Sequence, residues 1–330
     1  MLNSAVLITI IIVILAISFD FLNGFHDSAN AIATSVSTRV LSMKSAVIMS
    51  AILNFLGAFM SDKVAKTVGD GIIDPSKIVP SVIIVALIAA IIWNLITWYL
   101  GIPSSSSHAL IGGLIGAAVM YKTSFGVVNW IGFFNKIVLW LFLSPVIGFV
   151  VGYIFMILIE WLFHRSKPAF VSRVFSKAQI VSAMLMALNH GGNDAQKSMG
   201  VITMALMSSG LLSSFTVPAW VKAACAIAMA FGTSFGGYRI IKTMGMNMAK
   251  LAPVNGFAAE TGAAAVIFSA TMFHAPVSTT QIISTSIMGV AASKRISSVR
   301  WMVAKDILIA WIITMPVCAG IAALLALFIR

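Results

Sequence analysis

Long stretches without a single charged side chain recur along the whole chain, and no other feature limits its fold so strongly. The runs Ala5–Ile17, Ala46–Met60, Val82–Leu100, Ile137–Leu162, Ala223–Phe235, Ala263–Met272 and Ile307–Ile329 are almost wholly apolar. Several approach or exceed the ~20 residues needed to cross a hydrocarbon core. Only 9% of the 330 residues are charged, against about a quarter in a soluble domain, and the mean hydropathy is +1.04. A single water-soluble core would not supply so many uncharged runs. The pattern predicts an all-α polytopic membrane protein, because backbone polar groups in lipid must be satisfied within helices.

The 21 basic and 9 acidic residues give a net charge of +12. In a soluble chain this would suggest a nucleic-acid partner. Here the charges fall in short connections between apolar runs, so the partner expected is a lipid bilayer and not nucleic acid. The densest basic cluster is His164, Arg165, Lys167, Arg173 and Lys177. It is read as a cytoplasmic linker over residues 163–177. The first 19 residues carry no charge, which suits an extracytoplasmic N-terminus, and the C-terminus is expected on the same side. The N-terminal run lacks a basic leader and a small-residue cleavage site, and is read as a retained helix. Cys225 and Cys318 lie in apolar stretches and imply no disulfide framework.

Three short patterns occur twice, in the same order. Gly24-Phe25-His26-Asp27-Ser28-Ala29-Asn30 aligns with Gly191-Gly192-Asn193-Asp194-Ala195-Gln196-Lys197. Lys66-Thr67-Val68-Gly69 aligns with Lys242-Thr243-Met244-Gly245. Pro103-Ser104-Ser105-Ser106-Ser107-His108 aligns with Pro276-Val277-Ser278-Thr279-Thr280-Gln281, which sets Gly116 opposite Gly289. The offsets of 167, 176 and 173 residues are close enough to indicate a duplication. The first repeat is placed at 1–162 and the second at 178–330. An uncharged N-terminus outside and a basic middle inside require an odd number of crossings in the first repeat, so the two repeats would have inverted topology. Gly126–Phe163 contains Pro145 and could be one kinked span or two pieces.

The first pair of patterns sets carboxylates and amides just after apolar runs: Asn23, His26, Asp27 and Asn30 in one half, Asn189, His190, Asn193, Asp194, Gln196 and Lys197 in the other. A carboxylate at bilayer depth costs several kcal/mol unless paired or hydrated. Asp and Asn oxygens are hard ligands for a small cation, so Asp27 and Asp194 are candidate sodium ligands. The neighbouring glycines would let the chain leave helical geometry and expose carbonyls. Surface polar loops are the alternative. The Pro-led hydroxyl segments suit helix starts. A helix starting inside the membrane aims its positive end and free N–H groups at one point. Ser104, Ser105, Ser106 and Ser107, with Ser278, Thr279, Thr280 and Gln281, would form a cradle for an oxyanion such as phosphate; ordinary caps at the water boundary are the alternative. Glu260 could bind a cation, act in gating, or sit at a surface helix start. Lys197 could attract an anion or snorkel to an interface. The proximity of His108 to four serines is weak support for a hydrolase, whose nucleophile and base usually meet through folding.

These residues resemble the inorganic phosphate transporter (PiT) family. The resemblance rests on Gly24–Ala31, Gly191–Lys197, Lys242–Gly245, Gly256–Gly262 and the two Pro-led segments, and spans essentially the whole chain. It implies phosphate–cation symport, no enzyme activity, no cofactor beyond the coupling cation, two inverted repeats with discontinuous or re-entrant helices, and a homodimer. The family's site pattern carries over to Asp27, Asn30, Asn193, Asp194, Ser104–Ser107 and Ser278–Gln281. The candidate phosphate contacts are therefore Ser104–Ser107, Ser278–Gln281, Asn30 and Asn193; the candidate cation-coupling groups are Asp27, Asp194, Asn30 and Asn193, joined from the residues themselves by Glu260 and His26. Sodium-coupled relatives carry Asn where this chain has His26. The Gly-Phe-His-Asp form resembles bacterial members linked to protons, some of which carry a divalent-metal phosphate. Protons are therefore favoured over sodium. Transport of sulfate or arsenate, a passive channel and an intramembrane hydrolase remain the rival readings.

Overall fold

Every long connection in this chain ends in another helix. A computed structural model describes residues 4–69, 71–73, 78–235 and 237–329. The first half contains α1 (Ser4–His26), α2 (Ser28–Ser37), α3 (Met43–Gly57), α4 (Lys63–Gly69), α5 (Pro80–Leu100), α6 (Ser106–Lys122), α7 (Trp130–Phe133) and α8 (Leu139–Phe163). The second contains α9 (Pro168–Ser208), α10 (Ala219–Ser234), α11 (Tyr238–Lys242), α12 (Pro253–Met272), α13 (Thr279–Lys294) and α14 (Trp301–Ala326). Among the described residues five segments are long and apolar enough to cross a membrane: Val6–Ser37, Pro80–Leu100, Trp130–Phe163, Pro168–Ser208 and Trp301–Ala326. Ala219–Ser234 with Tyr238–Gly245 makes a sixth if that bent pair is one span. The protein is an all-α, multi-pass membrane protein.

Large apolar side chains lie on the surface, and several ionisable ones lie inside. Ile131, Phe142, Ile154, Ile312 and Leu324 are exposed, whereas Asp20, Asp27, Asp194, Lys197 and Glu260 are buried. That inversion is what a lipid solvent selects, because exposing an aliphatic side chain to hydrocarbon costs nothing while exposing a charge does.

The duplication read from the sequence reappears in the packing. Helix α1 packs on α10 as α9 packs on α3; α6 packs on α14 as α13 packs on α8; α4 meets α9 as α11 meets α2. Trp130 Nε1 donates to the Phe125 carbonyl at 2.9 Å, and Trp301 Nε1 to the Ile296 carbonyl at 2.9 Å. Each of these helix pairs crosses between halves, so the repeats interlock and are not side-by-side domains. Gly116 and Gly289 permit this. A Cβ on Gly116 would lie 2.1 Å from the Ala319 carbonyl oxygen of α14, and one on Gly289 2.1 Å from that of Phe149 in α8.

Two apolar cores result. One gathers α1, α5, α6, α10 and the later part of α9; the other gathers α2, α8, α12, α13 and the earlier part of α9. The junction of α1 with α2, and the middle of α9, lie where the cores meet.

One expectation changes here, and one open choice is resolved. The basic stretch 163–177 is only briefly a loop. Pro168 occupies the first turn of α9, so residues 168–177 are already helical. Residues 130–163 run as one span, with Pro145 inside α8.

Candidate functional site

The Pro-led loops begin the site. Helix α5 is followed by Gly101 with φ +70°, and α12, after Phe273, by His274 with φ +61°, the equivalent position of the second half. Both left-handed residues reverse the chain toward the interior. Each is clipped by the opposite half. Thr243 Oγ1 donates to the Gly101 carbonyl at 3.0 Å, and Thr67 Oγ1 to the His274 carbonyl at 2.9 Å. This explains the repeated Lys-Thr-x-Gly pattern, whose threonines the sequence reading left without a role. Ser105 caps α6 by accepting from the His108 N–H at 3.3 Å, and Ser278 caps α13 by accepting from the Gln281 N–H at 3.3 Å. Both caps are buried, so these helices start inside the protein and not at a water boundary.

Asp27 lies between the two helix starts. Its Oδ2 accepts from Ser106 Oγ of α6 at 2.5 Å, and its Oδ1 from Thr280 Oγ1 of α13 at 3.1 Å. His26 Nδ1 lies 2.7 Å from Oδ1. Ser106 Oγ is also 2.8 Å from Asn23 Oδ1, and Asn30 Nδ2 donates to Thr280 Oγ1 at 2.9 Å. The second carboxylate repeats the theme. Asp194 Oδ2 accepts from Thr279 Oγ1 at 3.0 Å and lies 3.2 Å from His190 Nε2, while Asp194 Oδ1 accepts from Lys197 Nζ. Lys197 Nζ also donates to the Val277 carbonyl at 3.2 Å, the same oxygen that accepts from Ser107 Oγ at 3.4 Å. Asp27 with Asn30, Ser106 and Thr280 thus forms one buried cluster, and Asp194 with Lys197, Ser107 and Thr279 forms a second; α6 and α13 contribute adjacent residues to both.

Other candidates stand further off. Ser104 Oγ pairs with Thr97 Oγ1 at 2.7 Å, and that hydroxyl lies 3.4 Å from His26 Nε2. Asn193 Nδ2 donates to Thr271 Oγ1 at 2.9 Å, leaving its Oδ1 buried without a hydrogen-bond partner among the described residues. The Gln281 side chain turns to Ser144 of α8.

Glu260 forms a separate cluster. It accepts from Thr34 Oγ1, from Ser35 Oγ at 2.6 Å, from Ser182 Oγ, and from Gln179 Nε2 at 3.4 Å. It is fully buried and therefore not a carboxylate at a surface helix start. Thr34 lies seven residues after Asp27 along α2, about 10 Å at 1.5 Å per residue. The sequence reading missed its four donors, since hydroxyls on separate helices carry no shared spacing.

One reading needs correction, and two alternatives drop out. The glycines of the carboxylate segments do not unwind the second half: α9 is one helix from Pro168 to Ser208, straight through Asn189–Lys197. Even in the first half the interruption is confined to Asp27, whose backbone stays near helical values at φ −88°, ψ −29°. Gly24 and Gly191 serve close contact, since a Cβ would sit 2.2 Å from the Met229 carbonyl oxygen and 2.3 Å from that of Asn54. Lys197 does not snorkel, because it is 1% exposed and held by Asp194 and Val277. Ser107 and His108 form no dyad, since the serine hydroxyl points to a main-chain carbonyl.

A sequence profile of the phosphate transporter family matches residues 23–322, a range that contains both carboxylates and both Pro-led helix starts. This chain belongs to that family. It is 51% identical to a "probable low-affinity inorganic phosphate transporter" of Bacillus subtilis (strain 168), over 96% of each chain. A protein of the same description from Rhizobium meliloti (strain 1021) is 51% identical over 95% of this chain and 94% of its own. Among solved structures, a sodium-dependent phosphate transporter superposes with a TM-score of 0.89 at 25% identity, covering 98% of both chains. The family consists of transporters, so the buried carboxylates belong to a transport protein and not to an enzyme.

Proposed function

We propose that this protein carries inorganic phosphate across the bilayer by cation symport, at the buried clusters between α6 and α13. One observation carries the reading: the hydroxyls at the starts of two helices from opposite halves, Ser106 and Thr280, both donate to Asp27. Those hydroxyls, with the free N–H groups of the helix starts, are the donors a phosphate would need. An ionised Asp27 both occupies them and repels the anion. A cation or proton on Asp27 would remove the repulsion and release the donors, so binding of the two solutes is coupled.

Protons are the favoured partner, because a ring nitrogen of His26 lies 2.7 Å from Asp27, within reach to pass a proton to the carboxylate. The low-affinity description of the relatives and the sodium dependence of the solved neighbour bear on affinity and ion choice respectively. The seam between the two cores supplies a basis for alternating access. Each core would move as a unit about the site, with the α1–α2 junction at Asp27 as the point of flexure in the first half.

Phosphate uptake into proteoliposomes, with sodium and pH gradients imposed separately, tests this. Concentrative uptake under one gradient is expected; a flux that only equilibrates phosphate would indicate a channel. Failure of excess sulfate to compete with labelled phosphate would set that anion aside.

A further inference from the structure

The two carboxylate sites are related by the repeat, yet they are not the same. Ser106 on Asp27 Oδ2 at 2.5 Å corresponds to Thr279 on Asp194 Oδ2 at 3.0 Å. The difference lies at the other oxygen. Asp27 Oδ1 receives the neutral hydroxyl of Thr280 and the His26 ring, whereas Asp194 Oδ1 receives the Lys197 ammonium. The alignment puts Asn30 where the second half has Lys197. Asn30 presents an amide oxygen that is buried and has no hydrogen-bond partner among the described residues. Lys197 fills the equivalent space with a positive charge.

The surroundings of that ammonium are those of a small cation. Its partners are a carboxylate oxygen and the Val277 carbonyl, in the loop that starts α13. Carboxylate and main-chain carbonyl oxygens are the hard ligands from which transporters build cation sites at helix breaks. The charged and titratable groups around it come from three helices: Asp194 and His190 on α9, Asp20 on α1 and His108 on α6. Lys197 is 1% exposed, so the ammonium has no route to water that would let it act as a surface charge.

We infer that Lys197 is a tethered coupling cation: its ammonium takes the position in the second half that a mobile cation takes in the first, so the transporter couples phosphate to one mobile cation fewer than its duplicated design would bind. This rests on the symport reading above and deepens it. Asp194 is then neutralised in every state of the cycle, and the anion meets a permanent positive charge on one side of the site. Asp27 remains the carboxylate whose charge a gradient can change.

The test is the number of cations that cross with each phosphate. The full-length protein is placed in proteoliposomes with the membrane potential clamped at zero, and radiolabelled phosphate is followed to static head under a tenfold sodium or proton gradient. Lys197→Asn, which installs the first-half residue, is expected to add one coupled cation. The static-head accumulation ratio would then rise about tenfold, the concentration ratio equivalent to one more ion moving down that gradient. An active Lys197→Asn protein with the wild-type ratio overturns the proposal, including the case in which only the KM for phosphate rises, as a direct phosphate ligand would require. If Lys197→Asn is inactive, Asp194→Asn is compared with Asp194→Asn/Lys197→Met. Restoration of uptake at least tenfold by removing the ammonium supports a self-neutralising pair, and a double variant that inserts normally but stays as inactive as Asp194→Asn overturns it. Failure of the wild-type protein to concentrate phosphate under either gradient would instead be a failure of the symport reading.

Discussion

Thr280 Oγ1 donates to Asp27 Oδ1 across 3.1 Å, although 253 residues separate them. With Ser106 on the other carboxylate oxygen, this bond ties the helix starts of both halves to one acid. The candidate site is therefore a product of the crossing of two repeats, and neither half contains it alone.

Asp27 is the acid whose charge is expected to change during transport. Asp27→Asn should lower phosphate uptake at least tenfold while the protein still inserts into the membrane. Labelled phosphate uptake, set against the amount of protein in purified membranes, measures this. Normal uptake by the variant would remove Asp27 from the coupling step.

Ser106 and Thr280 are expected to serve as donors to phosphate once Asp27 is neutralised. Ser106→Ala and Thr280→Val should each raise the KM for phosphate roughly 10- to 150-fold, the equivalent of losing one hydrogen bond to a charged group at ~1.5–3 kcal/mol. Initial-rate uptake across a phosphate series separates this from a change confined to the maximal rate.

Removing the carboxylate beneath the ammonium has a stability consequence. Asp194→Asn leaves Lys197 buried beside a neutral amide, and breaking a buried pair in this way costs roughly 3–5 kcal/mol. Thermal unfolding of the detergent-purified protein should shift down markedly for Asp194→Asn. It should shift much less for Asp27→Asn, where no ammonium is stranded. Uptake by Asp194→Asn is expected to be lost as well.

The threonine clips should behave as independent structural bonds. Thr67→Val and Thr243→Val each remove a hydroxyl donor to a left-handed turn, at 2.9 and 3.0 Å respectively. Each is expected to cost about 1 kcal/mol, and the pair to be near additive because the two share no partner. Unfolding midpoints of the singles and the double test this, and a double much worse than the sum would show that the turns are linked.

Glycine at the helix crossings is expected to resist even a methyl group. Gly116→Ala or Gly289→Ala would bring Cβ within 2.1 Å of a carbonyl oxygen on the neighbouring helix. Because backbone and not a flexible side chain must yield, destabilisation of about 1–3 kcal/mol is expected. The same unfolding assay would detect it, and an unchanged midpoint would mean that α14 or α8 can slide aside.

The sequence by itself determined the solvent, the helical class, the duplication and the identity of the paired carboxylate and hydroxyl segments. Those features are local: uncharged run length reports the lipid core, and a repeated pattern such as Gly24–Asn30 with Gly191–Lys197 needs no knowledge of contacts. Tertiary structure alone decided which helix start faces which acid, that α9 stays continuous where a break was expected, and that Glu260 collects donors from α2 and α9. It also decided that Lys197, equally compatible in sequence with an anion contact or a membrane interface, is held inside by Asp194. The physical reason is that glycine, hydroxyl and charged residues have several uses apiece in a membrane helix. Which use applies depends on the backbone packed opposite, and here that backbone always belongs to a distant part of the chain.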